Sequence, residues 1–345
     1  LSKRLGSKLR VEQAVLIFPL NSLPLVEDLF QEDQRPKEIN DVLQKYEAHR
    51  VARRVALEAL QNETVGDIPP SWLEKLDPPQ AYAVSAMTVS DLLGLCLFDE
   101  QGSGKTVMTI AAFDILRNAG LVDAMIVICP KTMMSEWFKD ISRFIPNNCK
   151  IVTAEGDRNK KYETALAEFD VLIVNYEGVD QVRIPLAATA SKRKYLLVAD
   201  ESYYVKNSES VRSDAAHQLR DACVRCFVLC GTPAPNSSYD LVNQFDLADM
   251  GFTFAGFRKS NEEDLDRDVI AALIETRGTF IRRLKSQILE NVPDKNFHVV
   301  SLPLKGRQAL LYEKARLELE LELRRLDNVS FKRQLVAYFQ RRAVL

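Results

Sequence analysis

Between residues 91 and 230 six short apolar runs recur: LLGLCLF (92–98), AMIVIC (124–129), KIVT (150–153), DVLIVN (170–175), YLLVA (195–199) and RCFVLC (225–230). They are apolar nearly throughout instead of alternating with polar residues. That is the pattern of strands buried on both faces, not of strands with one wet side. Between several of them lie stretches with helical spacing, at 105–118 with Gly120 as a stop, 135–144, 160–169 and 208–219. Strands of this kind alternating with helices predict an α/β fold built on a parallel sheet with helices on both faces.

Composition narrows the class without naming a function. Of 345 residues 46% are hydrophobic and 27% charged, which excludes a disordered chain, a collagen-like chain and a disulfide miniprotein. At roughly 150 residues per domain the length suggests about two domains. No apolar run is long enough for a membrane-spanning helix, and the first 20 residues lack a signal-peptide core and cleavage site. The chain opens with Leu rather than Met, so a fragment, a processed chain or the ordered part of something longer is expected. The net charge of −2 neither demands nor excludes a nucleic-acid partner. The six cysteines show no disulfide framework and read as reduced thiols in a reducing compartment.

Four regions follow. Residues 1–75 form an N-terminal extension, with a strand at VLIFPL (15–20), a helix over 36–60 and a Pro-rich lead-in at 67–80 whose pre-proline residues are biased away from helix. Residues 76–250 hold the strand–helix alternation. Residues 251–300 are a mixed, charged insertion or protrusion. Residues 301–345 are rich in Leu, Glu and Arg; LELELEL (317–323) has a strand's period, but its residues are strong helix formers and predict a helical linker.

LFDEQGSGKTVMTI (97–110) follows an apolar run and opens a helical pattern. Gly102, Ser103, Gly104, Lys105 and Thr106 predict a phosphate-binding loop. Glycines let successive N–H groups turn inward, and the helix N-terminus adds partial positive charge. Lys105 would reach the β- and γ-phosphates of a nucleotide, and the Thr106 hydroxyl would bind Mg²⁺. The general pattern has Gly where this chain has Asp99. A second site candidate is Asp200-Glu201, at the C-terminal end of an apolar run, where carboxylates of parallel sheets face the ligand crevice. Asp200 suits Mg²⁺ and Glu201 suits orienting and deprotonating an attacking water.

The ordered segments DEQGSGKT (99–106), ICPKTMMSEW (128–137), VLIVNYEGV (171–179), ADESYYVKN (199–207) and LCGTPAPNS (229–237) resemble the first motor lobe of superfamily-two helicase-like ATPases. More narrowly, DESYYVKN, LCGTPAPN and FIRRLKSQILENVPDKNFHVVSLPL (280–304) are similar to elements of the Swi/Snf group of double-stranded DNA translocases, and the likeness spans about 76–315. The resemblance implies a RecA-like P-loop sheet, with ATP and Mg²⁺ as cofactors and duplex DNA held through its phosphates. It implies that Gln80 reads the adenine edge, the alternative being a surface residue of a Pro-rich loop. It further implies that Gly231, Thr232 and Pro233 couple nucleotide state to DNA, and that Lys131, Arg282 and Arg283 meet nucleic acid. Pro130 and Trp137 lie in the same DNA-facing segment, although Trp137 reads more naturally as core.

Three departures stand out. Tyr203 occupies a position where the group usually has His, which bears on the coupling route. Ser103 replaces a bulkier residue, and nothing in the chain resembles a second motor lobe. That lobe is expected beyond residue 345, within a possible larger assembly, with no membrane association. A cytoplasmic location of bacterial or phage origin is favoured, or a nuclear one if the chain is eukaryotic. The expected activity is ATP hydrolysis coupled to movement on double-stranded DNA, weak in this chain alone. An RNA or single-strand helicase and a nucleotide-gated, non-catalytic scaffold stand as alternatives. A zinc site at Cys223, Cys226, Cys230 and His217 is set aside, because there is no second C-x-x-C and Cys226 to Cys230 lie in a run that reads as a buried strand.

Overall fold

The computed structural model describes residues 10–12, 15–17, 37–146, 149–260, 262–288 and 303–325. Part of VLIFPL (15–20), most of the stretch compared with the interlobe linker (289–302) and residues 326–345 lie outside these described residues. The chain divides into two compact units, 1–292 and 293–345.

In the first unit, β1 (Arg10–Glu12) and β2 (Val15–Ile17) pair as a small antiparallel hairpin. Helix α1 (Lys37–Gln61) contains no Gly or Pro and buries Tyr46, His49, Ala52 and Ala56, spaced three to four residues apart along one stripe. Polar contacts fix this helix to distant chain. Tyr46 Oη donates to the Met250 carbonyl at 2.9 Å, Arg53 Nε donates to the Gly278 carbonyl at 2.8 Å, and His49 Nδ1 accepts the Leu93 N–H at 3.1 Å. Burial drives the His49 pKa down to about 3, so the ring is neutral and free to accept.

The Pro-rich lead-in differs from its sequence reading. It forms two helices, α2 (Pro70–Leu73) and α3 (Pro78–Met87). Both begin on prolines, whose missing N–H costs nothing in a helix's first turn. The pre-proline Asp77 is extended, at φ −65° and ψ 152°, and serves as the N-cap of α3.

The core is a sheet of seven strands. They are β3 (Gly94–Leu97), β4 (Ala124–Cys129), β5 (Ile151–Thr153), β6 (Val171–Asn175), β7 (Tyr195–Asp200), β8 (Arg225–Leu229) and β9 (Phe280–Ile281). Their order is β5-β6-β4-β7-β8-β3-β9, and every pair is parallel. Period two assigns the two faces. Met125, Val127 and Cys129 of β4 enter one core with Phe113 and Trp137, while Ala124, Ile126 and Ile128 enter the other with Leu186, Leu219 and Phe245. Helices α4 (Lys105–Asn118) and α5 (Met134–Phe144) supply the first face. Helices α7 (Val179–Thr189), α8 (Val211–Asp221) and α9 (Tyr239–Asp249) supply the second. The short α6 (Arg158–Leu166) joins β5 to β6. Each fully buried large apolar side chain contributes about 1.5–3 kcal/mol of burial free energy, so doubly covered strands are what hold this layer structure together.

Within 251–300, α10 (Glu263–Arg277) opens on Glu263, Asp264 and Asp266 and closes on Arg277, complementing the helix dipole at both ends. The strand β9 pairs with β3 through Cys96↔Phe280 and Leu97↔Ile281 and so extends the main sheet; α11 (Lys285–Ile288) follows it. In the second unit the period-two stretch LELELEL lies in a helix, α12 (Gly306–Arg325).

Candidate nucleotide site

Gly102 and Gly104 turn the chain between β3 and α4 with φ of 81° and 86°, conformations that cost an L side chain about 1 kcal/mol or more. Gly104 is the N-cap of α4 and offers no side chain, so no side-chain cap occupies the first N–H groups of that helix. They point, with the positive end of the dipole, into the loop mouth. Lys105 Nζ donates to the Asp99 carbonyl at 2.9 Å and the Glu100 carbonyl at 3.3 Å. Burial pulls this ammonium below its usual range, and the charges of Asp200, Glu201 and Asp99 oppose that shift. The Ser103 hydroxyl is buried without a hydrogen-bond partner among the described residues. Thr106, in the first turn of α4, is half-buried.

Gln80 lies not in a loop but in the first turn of α3. Its Oε1 accepts the Asp77 N–H at 3.1 Å and its Nε2 donates to the Ser103 carbonyl at 3.1 Å. A Cβ on Gly104 would come within 2.5 Å of Gln80 Nε2, so the glycine leaves room for this contact.

Asp99, at the position where the general loop pattern has Gly, is fully buried. Arg283 closes on it: its Nη2 lies 2.6 Å from Oδ2, its Nε 3.2 Å from both oxygens, and its backbone N–H donates to Oδ1 at 2.8 Å. Arg283 Nη1 also donates to the Pro79 carbonyl at 2.5 Å. Arg282 Nη1 donates to the carbonyls of Phe98 and, at 2.9 Å, Gly231. Both guanidiniums, expected to meet nucleic acid, are thus engaged within the chain, clasping the root of the phosphate loop. The same segment places Lys285 Nζ 3.0 Å from where a Cβ on Gly102 would sit. The sequence signal for this was the FIRRLK stretch itself, but nothing local in it said which residue 180 or so positions earlier it would touch.

Only β8 stands between β3 and β7 in the sheet, so the acid pair leaves the sheet about 10 Å from the loop strand. Asp200 is held on both oxygens: Oδ2 accepts Trp137 Nε1–H at 2.8 Å and Oδ1 accepts the Glu201 N–H at 2.9 Å. Tyr176 Oη donates to the Asp200 carbonyl at 2.7 Å. Burial raises the Asp200 pKa, against the lowering effect of the Trp137 and Glu201 donors and of Lys105. Glu201 is raised by burial and then by the charge of Asp200, with Lys105 opposing. It also adopts φ 50° and ψ 52°, a left-handed strain of the sort found at working sites. Trp137 is core, as its phase suggested, and its indole N–H also orients Asp200.

Gly231 is buried where a Cβ would meet Gln101 Cγ at 2.7 Å, so the Gly231-Thr232-Pro233 element leans on the phosphate loop. Lys131 is exposed at the end of β4 and lines a cavity of about 210 Å³ with Glu155, Gly156, Lys161 and Asn175. No cluster of three or more His, Cys, Asp or Glu able to hold a metal occurs among the described residues. One carboxylate, one hydroxyl and substrate phosphate oxygens are, however, the usual setting for Mg²⁺. The start of α4, which no side chain caps, together with Lys105, Thr106 and the Asp200 carboxylate, fits a Mg²⁺-bound triphosphate.

A family model for the SNF2-related domain matches residues 25–343. The chain belongs to the SNF2-related family. It is 27% identical over 272 residues to YwqA of Bacillus subtilis, named provisionally an ATP-dependent helicase/translocase, covering 74% of this chain and 29% of that protein. It is 27% identical to the ISWI chromatin-remodeling complex ATPase ISW1 of Saccharomyces cerevisiae, covering 63% of this chain and 20% of that one. The DNA repair and recombination protein RAD54 of the same yeast is 27% identical, covering 64% and 28%. The chain therefore spans less than a third of the length of each of these curated relatives. The Sulfolobus solfataricus SWI2/SNF2 ATPase core domain matches at a TM-score of 0.51 and 23% identity, covering 78% of this chain and 56% of that one, and shares the RecA-like fold. The SNF2-related match reaches further at both ends than the motif span of 76–315. No helix among the described residues of this family member is long and apolar enough to cross a membrane.

Proposed function

We propose that this SNF2-related chain is the ATP-hydrolysing first lobe of a motor that moves on double-stranded DNA. The observation that carries the reading is topological: the phosphate loop follows β3 and the Asp200-Glu201 pair ends β7, on parallel strands of one sheet with a single strand between them. In this reading the N–H groups of residues 102–106 and the Lys105 ammonium grip the β- and γ-phosphates, and Gln80 is assigned the adenine edge. Thr106 and Asp200 would hold Mg²⁺, which supplies charge neutralisation on the phosphate oxygens. Glu201 orients the attacking water and takes its proton, a role its raised pKa suits. Gly231, Thr232 and Pro233, against Gln101, carry the change of nucleotide state away from the site.

DNA is proposed from the name of RAD54, a DNA repair and recombination protein, and duplex in particular from the resemblance of DESYYVKN and LCGTPAPN to elements of double-stranded DNA translocases; Lys131 and Lys161 carry ammonium groups that suit backbone phosphates rather than bases. The test is ATP turnover by the protein with duplex DNA, single-stranded DNA or RNA added. Duplex is expected to stimulate most, and Lys105→Ala is expected to lower turnover by about 100-fold or more. Unchanged turnover in Lys105→Ala would refute the site assignment. Stimulation by RNA alone would transfer the chain to a different helicase class, and binding without turnover would make it a scaffold.

A further inference from the structure

The residue after the acid pair, Ser202, is polar and buried. The Tyr203 ring packs against that of Tyr204, with centroids 4.8 Å apart. Ser202 is fully buried, and its Oγ donates to Gln244 Oε1 at 2.5 Å. Gln244, on α9, is also fully buried, and its Nε2 donates to the Pro233 carbonyl at 2.6 Å and the Asp240 carbonyl at 2.7 Å. The amide orientation is fixed by its surroundings. Two carbonyls can only accept, so the nitrogen must face them and the oxygen must face the hydroxyl. A single planar group thus spans from the Asp200-Glu201-Ser202 turn to the last residue of Gly231-Thr232-Pro233. Because every donor on it is committed, neither end can shift without moving the other or leaving a buried polar group unpaired.

We infer that Ser202 and Gln244 are positioning residues that transmit nucleotide state from the acid pair to the Gly231-Thr232-Pro233 element, in a chain whose Tyr203 stands where the resemblance expects the linking histidine. The inference rests on the nucleotide-site reading above and deepens it.

The test is amide hydrogen exchange on the 345-residue chain, with and without a non-hydrolysable ATP analogue and Mg²⁺. In the wild type the analogue is expected to slow exchange at 102–106, at 200–204 and, by about fivefold or more, at 231–236. In Gln244→Leu, and separately in the smaller change Ser202→Ala, the response at 102–106 and 200–204 is expected to persist. The response at 231–236 should fall below about twofold. A purely structural role would raise exchange at 231–236 with and without the analogue yet leave its nucleotide response intact, and that outcome would overturn the inference. So would loss of the 102–106 response in either variant, since the pair would then belong to the binding site. If the wild type itself shows no response at 102–106, the nucleotide-site reading has failed and the inference falls with it.

Discussion

Trp137 shows how one side chain serves packing and chemistry together. It is 1% exposed within the α4–α5 face of the core, yet its indole N–H is spent on Asp200 Oδ2. Phenylalanine would fill most of that volume and remove only the donor. Burial already lifts the Asp200 carboxyl above the usual carboxylate range, and the indole N–H opposes the lift by favouring the ionised form. Removing it must therefore raise the pKa further. Since the ionised carboxylate is the form that would hold Mg²⁺, the acid limb of the pH–rate profile is expected to move to higher pH in Trp137→Phe. Turnover at alkaline pH should change much less. An acid limb that stays put would show that Asp200 ionisation does not govern activity.

At the scale of elements, β3 and α9 approach more closely than any side chain permits. A Cβ on Gly94 would lie 2.0 Å from the Ala248 carbonyl oxygen and 2.6 Å from that of Cys226, both of them backbone. Neither can yield as a flexible side chain would. Gly94→Ala is expected to push α9 off the sheet and cost more than about 4 kcal/mol, a size seen only where packing is broken outright. Denaturant unfolding would measure it, and a loss below about 1 kcal/mol would contradict this account. Such contacts explain where sequence reasoning stopped. The six apolar runs became six of the seven strands, and 105–118 became α4 to the residue, because burial on both faces and a glycine turn leave plain local marks. The helix α7 was not legible, since Pro185 lies inside it. The strand β9 was not legible either: two residues carry no period, and only their partners on β3 make them a strand. The loop and the acid pair could be read from local pattern. The tie of Trp137 to Asp200 and the pairing of Ser202 with Gln244 could not, because each joins residues far apart in sequence.

At the scale of the molecule, the C-terminal edge of one parallel sheet gathers the glycine loop after β3, the acid pair and the Gly231 element. In phosphoryl transfer the developing charge is commonly met by an arginine supplied from a facing domain, worth about 10³–10⁵ in rate. If such a domain is the partner of this lobe, residues 1–345 alone should turn ATP over slowly and respond weakly to duplex DNA. A steady-state assay of the chain with and without duplex DNA measures this, and brisk, duplex-stimulated turnover would refute the two-lobe arrangement. Asp99 and Arg283 bear on the same scale, since the clasp joins positions 184 residues apart. A glycine at that point would let the loop be self-sufficient, portable to any scaffold that offers a strand and a helix. With a carboxylate there, the loop travels only with its counterion. Grafted without the distant arginine, the motif would bring a naked anion into a dry interior, and the host would reject it.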